Sequence, residues 1–138
     1  MTNQEAGRKL LAAAEKLLSR DAPAAQADGD YNIAVRRAQE AVELALKGGL
    51  RILGADFPKI HDVGQAFVEQ ATRRQAGLDT ATLMQINSAS RWLAEARAPS
   101  FYFERDYDAA DAERAIADAT FVVKAVRQLA PAGDENNP

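Results

Sequence analysis

The stretch from Ala96 to Tyr107, ARAPSFYFERDY, gathers Arg97, Phe101, Tyr102, Phe103, Arg105 and Tyr107 into twelve residues. Guanidinium groups are rigid forks for phosphate and aromatic rings are faces for base stacking, so this combination can hold a nucleotide. The plainer use of the same residues is mechanical. Phe101 and Phe103 would plug the end of a helical bundle while Tyr102 and Arg105 face water, and composition alone favours that use. Arg36, Arg37 and Arg91 add cations elsewhere in the chain, and for each the plain alternative is a solvated charge on an exposed helix face. The candidate ligand-binding residues are therefore Arg97, Tyr102, Arg105, Arg91 and Arg36.

Other chemistry is excluded by what the chain lacks. There is no cysteine, which removes zinc ribbons, iron–sulfur sites, thiol nucleophiles and disulfide scaffolds, and one histidine, His61, leaves no His-rich metal site. The sequence thus calls for no metal and no cofactor. His61-Asp62 lies where a helix should begin, and an N-capping role for one of the pair is the simplest expectation. The net charge of −3 argues against indiscriminate nucleic-acid binding. Yet ten Lys and Arg stand against eight Asp and Glu between Arg36 and Arg105, so the acidic excess belongs to the terminal regions. No apolar run approaches the roughly 20 residues of a membrane span, and MTNQEAGRKL lacks the basic-then-apolar plan of a signal peptide, so the expectation is a cytoplasmic protein with no membrane partner.

The elements that must position these residues are helices. Alanine makes up about a fifth of the 138 residues, and it loses no side-chain entropy in a helix. Leu10, Leu11, Ala14, Leu17 and Leu18 mark a first helix from about Asn3 to Ser19, capped by Thr2 or Asn3. Arg20 to Gly29, with Pro23, reads as a loop closed by an N-cap at Asp28 or Asp30. The second helix runs from Tyr31 to about Leu53, with Ala34, Ala38, Ala41, Ala45, Val42, Leu46, Leu50 and Leu53 on its buried stripe. Its small alanines predict close approach by neighbours. Arg36 with Glu40 and Glu43 with Lys47 read as i, i+4 pairs on a solvated face. A short third helix spans His61 or Asp62 to about Arg73, and a fourth opens at Asp79 or Thr80 and stops near Ala96 because Pro99 forbids continuation. The fifth opens at Asp108, with its acidic start and basic end complementing the helix dipole. The fold class is all-α, a five-helix up-and-down bundle in one domain over residues 1–130, with residues 131–138 a disordered tail.

Gly29-Asp30-Tyr31 followed by Ala38-Gln39-x-Ala41-x-Glu43-x-Ala45-Leu46-Lys47 resembles the HEPN domain family (higher eukaryotes and prokaryotes nucleotide-binding). The order continues with His61-Asp62, Arg97-Ala98-Pro99 and the Tyr107-led acidic start of the last helix, so the resemblance spans about residues 5 to 129. It implies a HEPN-like bundle that forms a homodimer and binds a nucleotide, an RNA or a nucleotidyltransferase-domain partner. Ribonuclease members of the family are similar to one another in an arginine followed, after four to six residues, by a histidine. Here Arg97 matches the arginine, and the histidine slots hold Tyr102, Phe103 and Glu104. The slots after Arg105 hold Ala110, Asp111 and Ala112, and those after Arg91 hold Ala96, Arg97 and Ala98. Metal-independent RNA cleavage needs a proton carrier of near-neutral pKa, which tyrosine is not. The resemblance therefore implies a binding module with no catalytic residue. The alternatives are a toxin-like ribonuclease using Arg97 with Tyr102 or His61 in an unusual arrangement, or a purely structural dimerisation module.

Overall fold

A computed structural model describes residues 1–129, and the expected tail at 131–138 lies outside the described residues. Those residues form helices α1 (Asn3–Lys16), α2 (Ala22–Ala27), α3 (Tyr31–Ile52), α4 (Gly64–Arg73), α5 (Thr80–Phe101) and α6 (Ala109–Arg127), with no strand among them. A π-helical turn at Leu17–Asp21 joins α1 to α2, so the two make one continuous rod and the bundle has the five helical rods that periodicity predicts.

The expected loop at 20–29 is mostly helical instead. Pro23 is the second residue of α2, directly after the π-helical turn, so its missing N–H falls where the i→i−4 ladder is already interrupted, and Ala22 and Ala25 are buried. Only Asp28 to Asp30 turn the chain. Asp30 takes the N-cap position of α3 without a side-chain capping bond, whereas Thr2, Asp79 and Asp108 each cap a helix through a side-chain oxygen. Thr2 with Glu5, and Asp108 with Asp111, are reciprocal capping boxes. The fourth predicted helix also runs longer than expected, through Pro99 to Phe101. Proline deletes one N–H near the end of α5 and leaves the Glu95 carbonyl without its usual donor, a small loss in the last turns. The helix then closes through Tyr102 N–H to Ala98 O and Glu104 N–H to Pro99 O.

The central element is α3, packed along α1, α5 and α6. Ala34, Ala38, Ala41 and Ala45 are fully buried, as are Leu46 and Leu50. At the crossing with α1 the backbones nearly touch: a Cβ on Gly7 would lie 2.6 Å from the Gly48 carbonyl oxygen, and one on Gly48 would lie 2.7 Å from that of Gly7. At its far end α3 stops at Gly54, whose φ of +85° turns the chain so that Ala55 N–H bonds back to Leu50 O. The start of α4 presses equally closely on α5, with Gly64 against Asn87 and Ser90. This contact sets where the preceding residues, His61 and Asp62, can go.

Candidate functional site

The site begins with a polar row on α3. Asn32, Arg36, Gln39, Glu43 and Lys47 recur every three or four residues, which aligns them on one face of the helix. That face turns toward α5 and the segment before α4, and it is not the solvated face expected from the charge pairs. The side chains of Arg36, Glu43 and Lys47 are only 13, 13 and 14% exposed, and Gln39 is 1% exposed as a residue. Charges in such a position must be satisfied by one another. Glu43 is the hub: Lys47 Nζ donates to Oε2 at 2.8 Å, and Gln39 Nε2 donates to Oε1 at 3.0 Å. Burial pushes the Glu43 carboxyl up, but the hydrogen bonds from Lys47, Gln39 and His61 together outweigh it and hold the group below the ordinary carboxylate range.

Arginines from two helices meet over this row. Arg97, on α5, donates through Nη1 to Gln39 Oε1 at 2.7 Å and lies 3.6 Å from Glu43 Oε1. Arg36 donates through Nη1 to the Arg97 carbonyl at 3.0 Å, and its guanidinium lies over the Phe101 ring at 4.5 Å. The Arg36 Nε is buried without a hydrogen-bond partner, because Glu40 Oε2 at 3.5 Å is within ion-pair range but off the hydrogen-bonding geometry.

The segment after α5 is pinned by Asn32, which is 5% exposed. Its Nδ2 donates to the carbonyls of Ser100 (3.1 Å) and Arg105 (2.8 Å), and its Oδ1 accepts from Tyr107 N–H at 2.8 Å. Tyr107 is buried, and burial pushes its phenol pKa up. Phe103 takes a left-handed φ of +55°, a conformation a bulky side chain rarely adopts. Phe101, Tyr102 and Phe103 are 46, 69 and 63% exposed, so the expectation that Phe101 and Phe103 plug the bundle end is wrong. With Asn32 holding the backbone, the end is sealed by Tyr107; Phe101 and Tyr102 form an exposed ledge, and Phe103 lines a separate cleft with Tyr31 and Asp106. Phe101 and Tyr102 contact edge to face, with centroids 5.0 Å apart.

His61 arrives from a third direction. The N-cap position of α4 is Val63, so His61 does not cap the helix. Asp62 comes closer to that role: its Oδ1 accepts from Gly64 N–H at 3.3 Å and from the buried Ser90 hydroxyl at 2.7 Å. This clamp holds the turn against α5 and brings His61 Nδ1 to 3.0 Å from Glu43 Oε1. Because Glu43 is ionised and can only accept, the proton is assigned to Nδ1. In the neutral ring Nε2 is then the basic nitrogen. The side chain is 56% exposed.

Arg36, His61, Ala94, Arg97, Ala98 and Tyr102 line one cleft of about 360 Å³. A second cleft of about 380 Å³, lined by Leu17, Glu40, Glu43, Leu44 and Arg97, shares Arg97 with it. Three of the five sequence candidates, Arg36, Arg97 and Tyr102, thus come together. Arg105 does not join them: it lies over the Tyr107 ring at 4.8 Å and lines a separate cleft of about 470 Å³ with Trp92 and Arg114. Arg91 is exposed on α5 and lines none of these clefts. Sequence reasoning missed Asn32, Gln39 and Glu43 as organisers, although polar residues at helical spacing along an alanine-rich buried helix were the available signal. No group of three or more metal-ligating side chains occurs among the described residues, and none of their helices is long and apolar enough to cross a membrane.

Chemically, the first cleft offers two guanidiniums, an exposed aromatic face and an imidazole. Of Arg97's five donors one is engaged at hydrogen-bond distance within the described residues, leaving the rest of the fork for a ligand. A model of the HEPN domain family matches residues 5–129. Among solved structures, the crystal structure of TT1696 from Thermus thermophilus aligns with a TM-score of 0.70 at 22% identity, covering 89% of this chain and 97% of that one. At that identity the likeness concerns fold alone. A comparison with curated proteins gives no match.

Proposed function

The chain belongs to the HEPN domain family, and from that premise we propose that the cleft between α3 and α5 is a binding site for the phosphates of a nucleotide or RNA, in a module that does not cleave its ligand. The observation that carries this reading is the meeting of Arg36 and Arg97 with Tyr102 in one cleft. Arginine forks match phosphate oxygens, and the exposed Tyr102 face can stack a base. Tyr102, Phe103 and Glu104 stand where the family's ribonucleases carry histidine, which favours binding over cleavage. Titration with ATP, GTP and short RNAs tests it. Binding should weaken tenfold or more, on the order expected for one lost charge-assisted hydrogen bond, in Arg97→Ala. No binding at high micromolar ligand would remove the reading.

One observation favours a second reading. His61, oriented by Glu43 and beside Arg97, supplies the proton carrier that metal-independent RNA cleavage needs. Cleavage of single-stranded RNA that disappears in both His61→Gln and Arg97→Ala would replace the first reading with this one. For assembly, the exposed aromatic rings of Phe101, Tyr102 and Phe103 support contact with a second copy or with a nucleotidyltransferase-domain protein. Light scattering tests the homodimer, and a monomeric mass would count against it.

A further inference from the structure

We propose that His61, when protonated, is a third phosphodiester ligand of this cleft, placed there by Glu43, so that binding tightens as pH falls through the histidine range. The inference rests on the reading of the cleft as a phosphate site and adds a residue and a regulation to it.

His61 reaches the cleft by two fixed attachments. The Asp62 clamp onto Ser90 and Gly64 sets the turn against α5, and Nδ1 bonds to Glu43 Oε1 at 3.0 Å. With Nδ1 committed, Nε2 is the atom left to meet a ligand. A neutral imidazole with its proton on Nδ1 presents a lone pair at Nε2, which repels a phosphate oxygen. Protonation turns Nε2 into a cationic donor, suited to the same oxygen. Histidine is the side chain whose ordinary pKa places that change between about pH 5 and 8.

The surrounding charges decide whether the proton is accepted. From α3, Glu43 faces the ring directly and is itself held by Lys47 and Gln39, with Glu40 one turn earlier and Arg36 two turns earlier. From α5, Arg97 lies 3.6 Å from the same Glu43 oxygen, and Tyr102 closes the cleft beyond it. On its own segment the neighbouring Asp62 is occupied by Ser90 and Gly64. Arg36, Arg97 and Lys47 oppose a further positive charge, while Glu43, held ionised, favours it. A phosphodiester entering between Arg36, Arg97 and His61 adds a negative charge where the cations crowd. By linkage, a ligand that favours the protonated ring binds more tightly where the ring is protonated.

The probe must not titrate or react in this range. A single-stranded octathymidylate without terminal phosphates meets both needs, because its diester groups stay ionised and it has no 2′-hydroxyl. Isothermal titration of the full chain at pH 7.5 and 5.5, at matched ionic strength, should show affinity rising about fivefold or more at the lower pH, the scale of one gained charge-assisted contact. His61→Gln, with its fold checked by circular dichroism, should lose that gain. Glu43→Gln removes the anion that supports the imidazolium and should move the midpoint of the pH profile to lower pH, a change that a merely structural role for Glu43 would not produce. Equal affinity at the two pH values, or an undiminished gain in His61→Gln, overturns the inference and leaves the cleft as a pH-independent phosphate site. Absence of binding at both pH values overturns the phosphate reading itself and the inference with it.

Discussion

Replacing Asn32 with alanine should loosen the segment that carries the aromatic ledge, and the structure sets the size of the effect. Asn32 makes three hydrogen bonds at 5% exposure, to the carbonyls of Ser100 and Arg105 and from Tyr107 N–H. Each buried bond contributes about 1 kcal/mol net, and removing one partner strands the other, so the loss should total about 3 kcal/mol. For a chain of this length that corresponds to a fall in Tm of about 10 °C. Urea unfolding gives the free energy, and amide exchange at Tyr107 gives the location. Tyr107 N–H should exchange faster by far more than amides in the middle of α3. Asn32→Asp is the sharper companion, since it retains an acceptor for Tyr107 N–H while setting a carboxylate against two carbonyls, and it should cost at least as much. A loss below about 1 kcal/mol in Asn32→Ala, with Tyr107 still protected, would refute the claim that this side chain holds the segment.

Three further outcomes follow from the packing and the charges. Gly48→Ala should destabilise by about 2 kcal/mol or more in urea unfolding, because its Cβ would sit 2.7 Å from the Gly7 carbonyl oxygen and α1 would have to move away. Asp108→Ala removes the capping box of α6 and should cost about 1 kcal/mol by thermal unfolding. Glu43 has a folded pKa below its ordinary value of 4.5, so its contribution to stability is fully present above that value and is lost as pH falls through the folded one. Acid unfolding followed by circular dichroism should therefore show a smaller pH-dependent loss in this window for Glu43→Gln than for the unaltered chain.

The helices were legible because apolar periodicity and caps are local properties. Thr2, Asp79 and Asp108 act as caps as their types and positions suggest, and the alanine stripe of α3 is buried against three neighbours. Two prolines misled for one reason, which is that their cost depends on position within a helix. Pro23 falls just after the π-helical turn, where the i→i−4 ladder is already interrupted, and Pro99 near a last turn, so neither ends its helix where a mid-helix proline would. The site was less legible because it is tertiary. Arg36 with Glu40 and Glu43 with Lys47 look like ordinary surface pairs until α5 and the turn before α4 cover them. Nothing near His61 in the chain announces Glu43, since the Asp62 clamp onto Ser90, across 28 residues, is what brings the two together.

Whether a phosphate-bearing ligand occupies the cleft shared by Arg36, Arg97, Tyr102 and His61 decides the proposed function. Side-chain NMR tests it most directly, by following the arginine Nε–Hε and histidine ring signals while a short single-stranded RNA is added. Saturable shifts are expected at Arg36, Arg97 and His61, with Arg91 unmoved. Shifts confined to Arg105 and Arg114, or none at any arginine at saturating RNA, would contradict occupancy of the cleft.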